Sequence, residues 1–273
     1  MTPMDTISTR GRAWFDALRG EAPALPGLPP SVRAADGLIG NRRARLLAVV
    51  PDPDSPYPRA RRGEVGLREG WGLAQAVREA MEQDAAGPKR ALLAIVDVPS
   101  QAYGRREEML GIHLACAAAV DAYAAARWAG HPVVAFLVGA AMSGAFLAHG
   151  YQAHRIVALD DPRVMVHAMG REAAARVTRR PVDELDALGP ANPPMSYRLA
   201  DYARLGLLHR LLSGVNADNP DANALGVVRQ AVLEALADIG ADERGLGVRL
   251  ESAQARDGRA ASREVRRRLA AQW

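Results

Sequence analysis

Apolar residues are distributed along the chain in two kinds of run that alternate. Short continuous runs, at Arg45 to Val50, Ala91-Leu-Leu-Ala-Ile-Val-Asp97 and Pro132-Val-Val-Ala-Phe-Leu-Val138, are apolar at nearly every position and rich in branched side chains, the pattern of strands covered on both faces. Between them the period lengthens to that of a helix. Trp71, Ala74, Val77 and Met81 share one helical face, and Ile112, Cys116, Ala119, Val120 and Tyr123 line a second helix over roughly Arg106 to Ala129, which Gly130 stops. Further short strands are predicted at Arg155 to Leu159 and Arg163 to His167. Helices are predicted at Ala13 to Arg19, Arg171 to Val177, Val182 to Leu188, Ser196 to Leu205, Ala222 to Asp238 and, strongly basic, near Ser262 to Ala271. Strands alternating with helices imply right-handed crossovers and an α/β fold with a mainly parallel sheet.

The flanks of this pattern differ from its centre. Residues 1–40 read as a Pro-rich arm, with Pro23, Pro26, Pro29 and Pro30 keeping the chain extended after the first helix. Residues 41–240 carry the alternating pattern and form the main domain. Residues 241–273 open on a polar, Gly-rich stretch and end as a basic helical tail.

Two of the strand runs end in small residues before a helix begins: Asp97-Val-Pro-Ser-Gln-Ala-Tyr-Gly104, and Gly139-Ala-Ala-Met-Ser-Gly-Ala-Phe-Leu-Ala-His-Gly150. Small side chains there let a ligand approach the backbone, and the unpaired N–H groups of a helix start face any negative charge that arrives or develops. Tight packing of helix on strand asks for the same residues. Both readings stay open on this pattern alone.

Composition narrows the classes. An apolar content of 49% in 273 residues supports a sizeable core. The single cysteine, Cys116, permits neither a disulfide framework nor a thiolate metal site, and the first ten residues lack the apolar core of a secretion signal. No apolar run is long enough to span a bilayer. A cytoplasmic protein away from membranes is expected. The net charge of +4 is carried by arginine, with Lys89 the one lysine, in clusters at Arg42 to Arg45, Arg59 to Arg62 and Arg263 to Arg268. Such clusters suit acidic proteins or phosphorylated groups. An aromatic content of 5% leaves few stacking platforms and argues against a nucleic-acid partner. No dinucleotide fingerprint, P-loop or paired-histidine metal motif occurs. Glu107 and Glu108, just past the first turn, are candidates for acid–base work, but neighbours on a helix cannot both face one pocket, and both suit the positive end of a helix.

Ser143 and His167 raise the possibility of a nucleophilic pair. The stretch Gly139 to Leu147, followed by Arg163-Val-Met-Val-His167, resembles Clp-type serine peptidases. Aligning the shared Gly-Ala-Phe-Leu places Met142, not Ser143, at that family's nucleophile, and one helical residue is a turn of about 100°. The resemblance therefore implies architecture more than peptidase chemistry.

A broader resemblance covers about residues 45 to 215. Gly63-Glu-Val-Gly-Leu-Arg-Glu-Gly-Trp71, Val96-Asp-Val-Pro-Ser-Gln-Ala-Tyr-Gly104 and His131 to Ala145 resemble the carboxyltransferase half of acetyl-CoA carboxylase that lacks a zinc ribbon, with its D-x-P-G-x-x-x-G and G-x-x-x-G-G-A turns. Within that superfamily the run from Asp97 to Gly170 most resembles the malonate decarboxylase gamma subunits. The resemblance implies a crotonase-like spiral of β-β-α units. It implies a homologous beta subunit as partner, and a malonyl thioester carried on the CoA-like prosthetic group of an acyl-carrier protein. No cofactor bound directly and no metal are implied. Decarboxylation leaves an enolate, and family roles place backbone N–H donors for it at Ser100 and Gln101 on the first turn and at Met142, Ser143 and Gly144 on the second. Ser100 and Ser143 stand where the family has glycine, which keeps the N–H groups and narrows the space for a biotin ring. A biotin-dependent carboxyltransferase subunit and a non-catalytic scaffold subunit are the alternatives.

Overall fold

The computed structural model describes residues 7–273. Its strands are β1 (Val32–Ile39), β2 (Arg42–Val49), β3 (Ala91–Val98), β4 (Val133–Met142), β5 (Arg155–Leu159), β6 (Met165–His167) and β7 (Arg210–Leu212). They form one sheet in the order β1-β2-β3-β4-β5-β7, with β6 paired to β4 beside this path. Only β1 and β2 are antiparallel, and the remaining pairs are parallel. Every residue of β3 is buried, as an apolar run without alternation requires.

The helices are α1 (Arg10–Arg19), α2 (Leu67–Gln83), α3 (Arg105–Met109), α4 (Ile112–Trp128), α5 (Ser143–Ala148), α6 (Arg171–Thr178), α7 (Val182–Leu188), α8 (Leu199–Arg204), α9 (Ala222–Ala237), α10 (Ala253–Gly258) and α11 (Ala260–Ala270). Helices α2 and α4 pack closely, since a Cβ at Gly70 would run into the Ala115 backbone. Helix α1 lies against β1 to β4, and α9 against β4, β5 and β7.

Three sequence expectations change. Of the stretch read as a Pro-rich arm, residues 1–6 lie outside the described residues, and part of the rest is helix and strand packed into the core. Helix α1 buries Trp14, Phe15 and Leu18, and Val32–Ile39 pairs with β2 across the two-residue turn Gly40-Asn41. Gly40 has a φ of 60°, and this Gly-Asn pair was a hairpin signal in the sequence. Second, the long helix predicted from Arg106 to Ala129 is broken. Gly111, at a φ of 81°, turns the chain between α3 and α4. Third, Trp71 is half exposed; Ala74 and Val77 are buried as expected, joined by Leu73, Ala76 and Ala80.

The Arg42 to Arg45 cluster is only partly surface: Arg42 and Arg43 are exposed and Arg45 is not. The Arg45 side chain is fully buried, pairs with Asp36 across the hairpin and donates to the Ala76 carbonyl at 2.6 Å. Arg43 pairs with Asp84, which also holds Arg90. Beside α4, the buried His149 ring makes two bonds that fix its tautomer: Nε2 lies 2.9 Å from the Ile95 carbonyl, which can only accept, and Nδ1 lies 3.0 Å from the Tyr123 hydroxyl. Nε2 therefore carries a proton, and in the neutral ring Nδ1 accepts from the Tyr123 hydroxyl.

Burial pushes the His149 pKa down to about 4 from 6.5, against the opposing bond to Ile95. The unfolded chain takes up this proton first. The stability held by neutral His149 is thus complete above pH 6.5 and is lost as pH falls towards 4, about 3 kcal/mol in all. Urea unfolding between pH 7.5 and pH 4.5 is expected to show this loss, and a His149→Gln variant is expected to have a flatter profile over the same window.

Candidate functional site

The two small-residue turns lie side by side at the carboxyl ends of β3 and β4, and the register of these strands shows why. Val96 pairs with Leu137 and Val98 with Ala141, so one residue of β3, Asp97, faces three of β4, Val138 to Ala140. This bulge bends β4 over the end of β3. Gly139 sits in it, and a Cβ there would overlap the Asp97 carboxylate. Asp97 is buried and accepts hydrogen bonds from the Gly11 N–H at 3.0 Å and the Ser8 hydroxyl at 2.5 Å.

Past the bulge the chain reaches the residues singled out by sequence. Gln101 joins the turns directly: its Oε1 accepts the Gly144 N–H at 2.8 Å. One of the five expected donors is therefore engaged within the protein. The first turn is also tied to the segment before α2, where the Val65 N–H donates to the Ser100 carbonyl at 3.0 Å and the Ala102 N–H to the Val65 carbonyl at 2.8 Å. Alternation of an extended backbone then points the Gln101 N–H away from Val65. The Ser100 hydroxyl donates to the Gln101 carbonyl at 3.1 Å, which holds the turn closed.

On the second turn Met142 is buried at the end of β4, opposite His167 of β6. Ser143 begins α5 with a φ of 56°. A left-handed conformation costs an ordinary residue about 1–2 kcal/mol. The Ser143 hydroxyl donates to the Ala168 carbonyl at 2.8 Å, which offsets part of that cost. His167 turns to the Met169 backbone through Nδ1, stacks on Tyr197 at 4.1 Å between centroids and has its pKa lowered by burial. Ser143 and His167 thus bond to different partners, and the nucleophile–base hydrogen bond of a peptidase is not formed.

Sequence reasoning missed the surroundings of the first turn. Arg59 lies 4.2 Å over the Tyr103 ring and pairs with Glu64, and Arg106 lies 5.3 Å from the Tyr57 ring centre. Burial pushes the Glu64 carboxyl up, opposed by Arg59 and Arg62. Tyr57 and Tyr103, beside arginines in the sequence, were the available signal. Glu107 is buried and Glu108 exposed, both in the first turn of α3, so they do not face one pocket together. Among the described residues no cluster of histidine, cysteine or carboxylate side chains is placed to hold a metal, and no helix is long and apolar enough to cross a membrane.

The backbone of Ser143 gives a measurable consequence. Ser143→Ala and Ser143→Gly both delete the bond to Ala168, but only glycine removes the left-handed penalty. The glycine variant is expected to be more stable than the alanine variant by about 1 kcal/mol in urea unfolding. Equal stability would show that the turn carries no strain.

Known proteins share this architecture. The family model described as malonate decarboxylase gamma subunit matches residues 60–273. A malonyl-S-ACP:biotin-protein carboxyltransferase of Malonomonas rubra is 34% identical over 187 residues, 67% of this chain and 61% of that protein's length. The chain thus spans less than two thirds of this curated relative. A crystal structure of a Pseudomonas malonate decarboxylase hetero-tetramer with coenzyme A contains a chain 60% identical, with a TM-score of 0.91 over 97% of this chain and 100% of that one. In a Pseudomonas MdcD-MdcE hetero-dimer the corresponding values are 59%, 0.87, 97% and 99%. The transcarboxylase 12S core, at 18% identity and a TM-score of 0.61 over 85% of this chain and 42% of that one, shares the fold, which is the α/β crotonase-like spiral expected from the sequence. With its bulged β4, paired turns and family match over most of its length, the chain belongs to the malonate decarboxylase gamma subunit family.

Proposed function

We propose that this chain is the gamma component of a malonate decarboxylase. It works in the cytoplasm beside a homologous beta subunit, on malonyl thioester carried by the CoA-like group of an acyl-carrier protein. The observation that carries this reading is the junction of the two turns, where Gln101 Oε1 holds the Gly144 N–H and brings Ser100, Gln101, Met142 and Ser143 to one place in a member of this family. In the reaction the bond from the carboxylate carbon to the methylene carbon breaks, CO2 leaves, and the electron pair passes into the thioester carbonyl as an enolate. A proton then replaces the carboxylate and gives acetyl thioester. The task left to the protein is to hold developing negative charge on oxygen, which preorganised N–H groups do without rearranging.

Two features bear on the occupant. Ser100 and Ser143 stand where the wider superfamily has glycine, and the inward N–H of Gly144 is already bonded. Both favour a small group, such as thioester oxygen or departing carboxylate, over a biotin ring. The name of the Malonomonas relative supports a second reading, transfer of the carboxyl group to biotin. The two differ in one requirement. In a complex reconstituted with the beta subunit, release of CO2 from malonyl-carrier is expected to proceed without any biotinylated protein and to resist avidin. Dependence on biotin would favour the carboxyltransferase.

A bulky side chain at the junction separates catalytic from scaffold roles. Ser143→Trp is expected to assemble with the beta subunit and to lower decarboxylation by at least about 100-fold, the scale of pushing a substrate about 1 Å out of place. Unchanged turnover in the assembled variant would make this chain a scaffold.

A further inference from the structure

Helix α11 (Ala260–Ala270) has 11 residues, and none is buried. An isolated helix shorter than about 12–15 residues is marginal in water, so something besides its own backbone must hold this one. Part of the support is visible. Arg263 bonds the Glu251 carboxylate at 2.9 Å and the Leu250 carbonyl, and Arg259, just before the helix, donates to the Leu205 carbonyl at 2.7 Å. These contacts fix which side of the helix faces the protein. At about 100° per residue, Val265 lies about 160° and Leu269 about 120° round the axis from Arg263. Both therefore face away, with exposures of 57% and 50%, and fully exposed Trp273 continues their four-residue spacing. Arg266 and Arg268 flank this stripe, one on each side. From Ala260 to Ala270 there are four arginines against one glutamate, a net +3.

An exposed apolar stripe between arginines matches an acidic surface with an apolar groove. A second copy of this chain would bring like charges together on a molecule already at +4, which disfavours self-association. The helix is also connected to the candidate site. Helix α10 packs on α8, where a Cβ at Gly258 would meet the Arg204 carbonyl, and α8 contacts β6. Tyr197, two residues before α8, stacks on His167 beside the second turn. The family match extends over this helix.

We infer that the Val265–Leu269–Trp273 face of α11, with Arg266 and Arg268, is the docking surface for an acidic, apolar-grooved face of the acyl-carrier subunit that brings the thioester to the site. The inference rests on the function proposed above for the substrate's carrier, and its test separates the two. The full chain is assembled with its beta subunit, and the holo acyl-carrier protein is the probe. Two double variants are compared with the wild type: Val265→Asp/Leu269→Asp and Arg266→Glu/Arg268→Glu. Carrier affinity, read by titration calorimetry, is expected to fall about tenfold or more in each, and wild-type affinity to weaken as salt is raised. The KM for malonyl-carrier rises by the same factor, while kcat stays unchanged, as does kcat/KM for malonyl-CoA, which has no protein to dock. Unchanged carrier affinity overturns the assignment. Loss of assembly with the beta subunit in gel filtration assigns the stripe to that subunit and also overturns it, as does loss of binding to phosphatidylglycerol vesicles with carrier affinity intact. A wild-type complex that binds the carrier but turns over neither thioester refutes the proposed function and leaves the docking surface standing.

Discussion

The arrangement of the site depends on one buried carboxylate. Asp97 ends β3, lies against Gly139 of β4 where no side chain fits, and receives the Gly11 N–H and the Ser8 hydroxyl from the start of the chain. A carboxylate taken out of water needs such donors, because an unsatisfied one costs several kcal/mol. Meeting that need draws the N-terminal segment across the end of the sheet and forces β4 to bulge by two residues. The bulge carries β4 on to pair with β6 and sets Ser143 beside Gln101. The position of the turns and the bonds that satisfy Asp97 thus depend on one bulge.

A second set of charges holds the same region from below. Arg10, almost wholly buried, bonds Asp161 and Asp218 and also reaches the Val138 carbonyl at 3.4 Å, linking α1 to the loops after β5 and β7 and to the bulge itself. Trp14 adds a bond to the Ala217 carbonyl and an edge-on contact with Phe136 of β4. The N-terminal segment is a structural wall of the site. Flexible turns would have to be ordered on binding, and these are ordered beforehand, as the proposed stabilisation of an enolate by fixed dipoles would require.

How much of this was legible in the sequence follows from the range of the interactions involved. The apolar runs at Ala91 to Val98 and Val133 to Val138 announced buried parallel strands because burial on both faces leaves a local mark. The small residues at Ser100 and at Ser143-Gly144 announced close backbone approach for the same reason. Hidden in the sequence was the partnership of residues far apart in the chain: Gly11 with Asp97, Arg10 with Asp161 and Asp218, and Gln101 with Gly144. The strand at Val32–Ile39 was overshadowed by the prolines before it, although Gly40-Asn41 marked its turn. Arg45 read as surface charge because nothing adjacent reveals that Asp36, across the hairpin, lets it be buried. The left-handed Ser143 was foreseeable only as a departure from glycine, and the structure shows the bond to Ala168 that accompanies it.

In the proposed reaction the joined turns of this chain hold the thioester oxygen during loss of CO2. The most direct measurement is a structure of the chain assembled with its beta subunit and a stable thioester analogue of the enolate. The analogue's oxygen is expected within about 2.7–3.1 Å of backbone N–H groups contributed by the Ser100–Gln101 and Met142–Ser143 turns, the range of an oxyanion site. An analogue bound wholly by the beta subunit, with both turns of this chain facing solvent, would contradict this.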